Sequence, residues 1–406
     1  MKVIKPTSKE LEKLANRGLD AKKRFRDRVA RIIEDVRLNG DDALIKYTRK
    51  FDKVKMKARQ LRVNTGEING SYQDMDPKLV SSFKVAIENV TAFYKKQLKK
   101  SWKIKDKDGI ALGEKITPIE TVGIYIPAGT APLASTVYMT VIPAKVAGAK
   151  RIVIITPPNE YASVQPYILV MANLLGVDEV YKAGGAQAIA AMAFGTKTIP
   201  KVDKIVGPGN PYVAEAKRQV YGYADIDMIA GPSEVVIIAD ESANSEYIAA
   251  DMAAQSEHLM GLSVLITKSK RLIKSIRQQP IKGIVIPVKS LNEAVEIANT
   301  LAPEHLQLMV KDPKKLLNKV RNAGAVFLGE YSPTALGDYI AGPSHVLPTG
   351  GSARFFSGLS IWDFLKGIHV ISYSKRALEL VKDDIKKIAE LEGLKKHSES
   401  IDARFK

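Results

Sequence analysis

The 406-residue sequence contains no cysteine and only five histidines. Without Cys there is no disulfide framework, no thiolate metal site and no thiol nucleophile. Any divalent transition metal must then be held by nitrogen and oxygen donors. No uninterrupted apolar run approaches the ~18 residues of a membrane span, and Met1-Lys2-Val3-Ile4-Lys5-Pro6 does not open a secretory signal. A soluble cytoplasmic protein with no membrane partner is expected. Acidic side chains are scarce in the first 110 residues, where 15 stand against 29 Lys and Arg; the remainder holds 29 against 33. Most of the net charge of +18 is therefore N-terminal. The basic residues are interleaved with acids along amphipathic stretches, as in Phe25-Arg26-Asp27-Arg28-Val29. They read as solvated helical faces, not as a nucleic-acid interface, which would add aromatic, Asn or Gln reading groups.

What is present is an ordinary globular composition, 45% hydrophobic and 26% charged, in a chain long enough for more than one core. Phe25, Val29, Ile32, Ile33 and Val36 recur at helical spacing up to Asn39-Gly40, and Asp41-Asp42 suits the start of a second helix through Tyr47. Another amphipathic stretch runs from about Leu79 to Leu98, so the first 110 residues read as helical. From about residue 118 the texture changes to short apolar runs, each followed by a turn and a helical pattern. Residues 121–126 lead into Pro127-Ala128-Gly129, 151–156 into Pro157-Pro158, 179–181 into Gly184-Gly185-Ala186-Gln187, and 204–206 into Gly207-Pro208-Gly209-Asn210. A second series occupies 235–239, 263–267, 283–286, 307–310 and 325–328. This alternation predicts an α/β protein with two doubly wound, Rossmann-like parallel-sheet units and helical N- and C-terminal extensions. The units are expected near 119–234 and 235–355, with the early helices packed on the second.

Gly207-Pro208-Gly209-Asn210-Pro211-Tyr212 carries the first two glycines of a dinucleotide fingerprint, with Tyr at the third place. Gly-rich turns repeated at strand carboxyl ends point to a cofactor or phosphate there. Among the histidines, His258 follows Gln255 by three on a predicted helix and shares its face. His305 follows Glu304 just before a strand, His345 follows Asp338 by seven in a Gly/Pro-rich turn, and His397 ends the tail helix near Glu392. His369 reads as a structural strand residue. Two His, a carboxylate and an amide oxygen would suit Zn²⁺ with one or two positions open. Adjacent Glu304 and His305 would face opposite sides of a strand, but a loop could present both to one reacting centre as acid–base groups. A zinc hydrolase would use the same donors without a nicotinamide cofactor, and would leave the Gly-rich strand ends unexplained.

An ordered set of segments spans nearly the whole chain. It begins with Val36-Arg37-Leu38-Asn39-Gly40-Asp41-Asp42-Ala43-Leu44, Gly123-Ile124-Tyr125-Ile126-Pro127-Ala128-Gly129, Gly184-Gly185-Ala186-Gln187-Ala188-Ile189-Ala190 and Gly207-Pro208-Gly209-Asn210. It continues with Asp227-Met228-Ile229-Ala230-Gly231-Pro232-Ser233-Glu234, Gln255-Ser256-Glu257-His258, Ala302-Pro303-Glu304-His305 and Gly342-Pro343-Ser344-His345-Val346-Leu347-Pro348-Thr349-Gly350-Gly351-Ser352-Ala353-Arg354-Phe355. Together they resemble the histidinol dehydrogenase family. The resemblance implies oxidation of L-histidinol through L-histidinaldehyde to L-histidine, the last step of histidine biosynthesis, with two NAD and a Zn²⁺ in each subunit of a homodimer. It implies Gln255, His258, Asp338 and His397 as metal ligands that also meet the substrate, together with Ser233, His305, His345 and Glu392. Glu304 and His305 become the acid–base pair, and Tyr125, Gln187 and Asn210 the NAD contacts. The tail helix would bring Glu392 and His397 to the partner's site. On this scheme residues 1–24 are an N-terminal helical extension, and 25–118 plus 235–355 form the unit with most metal and catalytic residues. Residues 119–234 form the NAD-side unit, and 356–406 the tail. Two departures are Leu259 after His258 and Ala128 in a Gly-rich turn; neither touches a named role. With no thiol available, the aldehyde must lose hydride as its hydrate or another non-thiol adduct, and Glu304 is the carboxylate placed to activate the water.

Overall fold

The structure, a computed structural model, describes residues 1–17, 23–73, 75–128, 133–257 and 260–406, with the backbone alone described at 23 and 24. It divides into two units, Met1–Gln97 with Ile119–Phe364, and Leu98–Pro118 with Leu365–Lys406. In chain order the strands are β1 (Lys2–Val3), β2 (Trp102–Lys105), β3 (Ala111–Pro118), β4 (Thr121–Tyr125), β5 (Arg151–Thr156), β6 (Glu179–Lys182), β7 (Lys204–Val206), β8 (Asp225–Ile226), β9 (Glu234–Ala239), β10 (Leu262–Thr267), β11 (Ile284–Pro287), β12 (His305–Met309), β13 (Ala325–Leu328) and β14 (Leu365–Ser372).

The first unit holds two all-parallel sheets. The smaller has the order β6-β5-β4-β7-β8 and the larger β1-β11-β10-β9-β12-β13. Counted from β4 or from β9, each runs third, second, first, fourth, fifth, the order of a dinucleotide-binding half. The expected α/β class is present. The strands read as continuous apolar runs because helices cover both faces, and all six residues of β9 are buried. Val236, Ile238, Leu306 and Leu308 enter one core of the larger sheet, while Val235, Ile237 and Met309 enter the other with Ile248 and Met252 of the helix Ser245–Gln255.

The early helices pack differently from expectation. Val29, Ile32, Ile33 and Val36 of the helix Lys23–Tyr47 share a core with Ile189 and Met192 of the helix Gly185–Phe194 and with Val213 of the helix Pro211–Val220. They cover the smaller sheet. The larger sheet receives β1 and, through Leu11 and Ala15, the helix Lys9–Ala15. A 3.6-residue period shows that a helix has a buried stripe but not which surface receives it. The expected break at Asn39-Gly40 is a kink, with Gly40 at φ 49°, a conformation that costs a residue without Cβ little.

The second unit pairs β14-β3-β2 antiparallel and carries the helices Lys375–Leu391 and Lys395–Asp402. Residues 102–105, within the region read as helical, are strand; Trp102-Lys103-Ile104-Lys105 alternates with period two. Among the described residues no helix is long and apolar enough to cross a membrane.

One buried ion pair ties the N-terminal segment to the start of β9. Arg17 Nε and Nη2 donate to Glu234 Oε1 and Oε2, each at 2.6 Å, with the side chains 14% and 5% exposed. Removing one member strands the other charge. Arg17→Met is expected to lower the unfolding free energy by about 3–5 kcal/mol in urea titrations; a loss under about 1 kcal/mol, the range of a surface pair, would show the pair to be solvated.

Candidate active site

The two residues of the Glu304-His305 dipeptide reach one point. Glu304 lies in a bend before β12, and His305 is the first residue of that strand, so strict alternation of side chains does not yet apply. Glu304 Oε2 stands 3.5 Å from His305 Nδ1 and accepts from Ser233 Oγ at 2.6 Å and from the Glu234 backbone N–H at 2.7 Å. His305 Nδ1 is 2.9 Å from the Glu234 carbonyl oxygen, to which it donates. That bond leaves Nε2, 3.5 Å from Asp338 Oδ1, as the nitrogen free to exchange a proton. Glu234 therefore holds both residues with its own backbone, while Arg17 and the Gly350 N–H (3.1 Å) hold its carboxylate.

Both groups are buried. Burial pushes the Glu304 carboxyl up to about 7, against the opposing pull of His305, Ser233 and the Glu234 N–H. For His305 burial acts to lower the pKa, but Glu304 and then Asp338 outweigh it and hold the imidazolium up to about 9. The pair thus exchanges protons across the neutral-to-alkaline range.

His305 opens onto a cavity of about 310 Å³ lined also by Phe327, Asp338, Ser344, His345 and Leu347. The Phe327 ring lies 5.8 Å from the imidazole. His345 is fixed on this wall, with Nδ1 2.8 Å from the Asp338 carbonyl oxygen and Nε2 3.2 Å from Thr136 Oγ1. Gln255 ends the helix Ser245–Gln255, is 5% exposed, and leaves Nε2 buried without a hydrogen bond among the described residues. One turn earlier, Asp251 Oδ2 accepts from Gln307 Nε2 at 2.7 Å. Four helical residues advance ~6 Å and two strand residues ~6.6 Å. Because the crossover helix runs antiparallel to the strands, Gln255 stands at the level of His305.

These groups sit at the amino ends of β9 and β12, opposite to the strand ends where doubly wound sheets ordinarily take ligands. The smaller sheet keeps the ordinary arrangement. Tyr125 closes β4, and its hydroxyl accepts from the Gly185 N–H at 3.0 Å. Gln187 is buried in the first turn of the helix Gly185–Phe194, and Asn210 Oδ1 caps the helix Pro211–Val220. Between them Gly207, at φ 114°, lies against the Tyr125 carbonyl where a Cβ would collide. Its N–H donates to Asp227 Oδ2 at 2.8 Å, its carbonyl accepts from Lys217 Nζ at 3.0 Å, and Lys217 bonds Asp227. A glycine turn beside two helix N-termini is the chemistry that a phosphate-bearing cofactor would fit. Residues 227–233 lead from it to Ser233, joining the carboxyl end of the smaller sheet to the amino end of the larger.

Of the proposed metal donors, Gln255 and Asp338 belong to the first unit, and His258 lies outside the described residues. His397 is in the helix Lys395–Asp402 and Glu392 caps the helix Lys375–Leu391, both in the second unit. Among the described residues no three His, Asp or Glu side chains gather as a metal site. The pieces that do fit a metal are the uncommitted Gln255 amide, whose O and N are interchangeable by a flip, and an all-N/O donor set suited to Zn²⁺. Sequence reasoning missed Arg17, the backbone of Glu234, and the Asp251–Gln307 bond. A Gln inside the otherwise apolar Leu306–Met309 run was the one available signal.

The fold and site define a class: a two-sheet α/β protein with glycine turns at the strand carboxyl ends of one sheet and a buried carboxylate–imidazole pair at the strand amino ends of the other. The histidinol dehydrogenase family model matches residues 15–284 and 278–405. Histidinol dehydrogenase from Clostridium acetobutylicum is 48% identical over 394 residues, covering 92% of this chain and 91% of that protein. That from Caldanaerobacter subterraneus subsp. tengcongensis is 47% identical, covering 97% and 95%. The crystal structure of histidinol dehydrogenase from Elizabethkingia anophelis superposes with a TM-score of 0.93 at 37% identity, covering 100% and 98%. This chain belongs to the histidinol dehydrogenase family, and is thereby an oxidoreductase of histidine biosynthesis. An acetylating aldehyde dehydrogenase from Geobacillus thermoglucosidasius, 14% identical with a TM-score of 0.52, shares the fold alone.

Proposed function

We propose that the protein, working in the cytoplasm as a homodimer, oxidises L-histidinol through L-histidinaldehyde to L-histidine with two NAD. The observation that carries this reading is the Glu304–His305 pair, held by the Glu234 backbone, with His305 lining a cavity large enough for a small amine. His305, anchored at Nδ1, takes the substrate hydroxyl proton at Nε2 as hydride departs. Glu304 Oε1 has no hydrogen bond among the described residues, and it takes a proton from the water that hydrates the aldehyde. Ser233 and His345 orient the substrate around that centre. Tyr125, Gln187 and Asn210 line the dinucleotide side.

Zinc, when bound, supplies a template that orients imidazole and amine and withdraws charge from them. Gln255, His258 and Asp338 would hold it, with His397 contributed by the partner's tail alongside Glu392. A second copy is supported by the exposed apolar face of the second unit, where Trp102, Ile104 and Ile371 lie on one side of the β2-β3-β14 sheet. We accordingly assign the tail that reaches the partner to the second unit, within residues 365–406 and not from 356, and the metal and acid–base residues to the larger-sheet side.

Chelation and restoration test the reading. Stripped protein is expected to lose NADH formation, and added Zn²⁺ to restore a yield of two NADH per histidinol. A yield of one would leave a simple alcohol dehydrogenase, and hydrolysis without NADH would leave a zinc hydrolase.

A further inference from the structure

In the doubly wound order, the adenosine ribose sits over the second and third strands, and the carboxylate that receives its hydroxyls ordinarily ends the second. Here those strands are β5 and β6. β5 ends in Thr156-Pro157-Pro158-Asn159, with no carboxylate before the exposed Glu160. Another segment brings one. Asp52 closes the π-helical turn Thr48–Asp52, followed by Lys53 in the left-handed region at φ 62°. Its Oδ1 lies 3.2 Å from the place a Cβ would take on Gly184, just past β6, and Pro157 flanks the same glycine at 2.9 Å. The carboxylate thus stands between the ends of β5 and β6, beside the Gly185 N–H that Tyr125 engages.

Among the described residues no group hydrogen-bonds its Oδ2, which is buried, and burial pushes the Asp52 carboxyl up to about 6. Thr156 Oγ1, on the last residue of β5, is likewise buried and unpartnered. An uncompensated carboxylate destabilises the free protein, so its presence on this face calls for a ligand that donates hydrogen bonds. π-Helical turns and left-handed non-glycine residues both concentrate at functional sites.

We propose that Asp52 receives the adenosine ribose hydroxyls of the dinucleotide and, by its charge, excludes a 2′-phosphate. The assignment rests on the reading that NAD occupies the carboxyl ends of the smaller sheet.

Calorimetric titration of the full-length zinc-loaded protein with NAD and with NADP tests it. Wild type is expected to prefer NAD. Asp52→Asn should weaken NAD by about tenfold, the scale of one charge-assisted hydrogen bond, and narrow the NAD/NADP ratio by a similar factor as the repulsion is lost. The melting temperature of Asp52→Asn at pH 8 should equal or exceed that of wild type, because the variant buries no charge. An unchanged NAD dissociation constant and NAD/NADP ratio would overturn the proposal, and so would a lower melting temperature, which would mark a structural residue. Failure of wild type to bind either nucleotide would instead overturn the cofactor reading, and this assignment with it.

Discussion

Glu304→Gln is expected to leave oxidation of histidinol to the aldehyde within a few-fold of wild type and to slow aldehyde oxidation by about 10³-fold, the weight of a general base. The substitution is isosteric. The Gln carbonyl can still accept from Ser233 Oγ and the Glu234 N–H, now 2.6 and 2.7 Å from Glu304 Oε2, so the local frame survives. What disappears is the basic oxygen Oε1, replaced by an amide that only donates. On the proposed scheme, alcohol oxidation needs a proton taken from the substrate hydroxyl, the task assigned to His305. The second step needs a nucleophile made from water, because the chain has no Cys to form a thiohemiacetal. Stopped-flow traces should then show one rapid equivalent of NADH followed by a slow second. Equal slowing of both phases would sink this division of labour.

His305→Asn should behave differently, lowering both oxidations by about 10³-fold. The Asn amide can still donate to the Glu234 carbonyl as Nδ1 does, but it offers no nitrogen that accepts a proton beside Asp338. A variant keeping a tenth of wild-type turnover would remove His305 from proton transfer. The pH profile gives a second check. Imidazole accepts a proton only when neutral, and Glu304 with Asp338 holds it protonated up to about 9, so the wild-type rate should climb toward that pH. In Glu304→Gln the negative neighbour that favours imidazolium is gone, and the rising limb of the first oxidation should move to lower pH. A shift toward higher pH would contradict the ion pairing seen between the two residues.

Some local elements around these residues are legible in the sequence alone. Residues 204–210 announced a strand and a glycine turn, and the turn is there, with Gly207 against the Tyr125 carbonyl. Glu304-His305 stood out because histidine is scarce. The support around it was not legible. Arg17 lies 217 residues from Glu234, and nothing in a stretch of Leu, Ala and Asn marks it as the cation for that carboxylate. Glu234 contributes through backbone groups that every residue possesses, so its type carries no signal for that role. Asp52 reads as one more charge in a basic segment until the fold sets it against Gly184.

The sequence by itself determined the alternation of strands and helices, the exclusion of thiol chemistry, the kink at Gly40 and the family, since local periodicity and residue type carry those directly. Only the tertiary structure decided which sheet the N-terminal helices cover, that Glu304 and His305 converge on the Glu234 backbone, and that the pair lies at the amino ends of its strands. Those outcomes depend on which distant surfaces exclude water together, and burial of that kind is a property of the whole packed chain, with no signature in the spacing of any one segment.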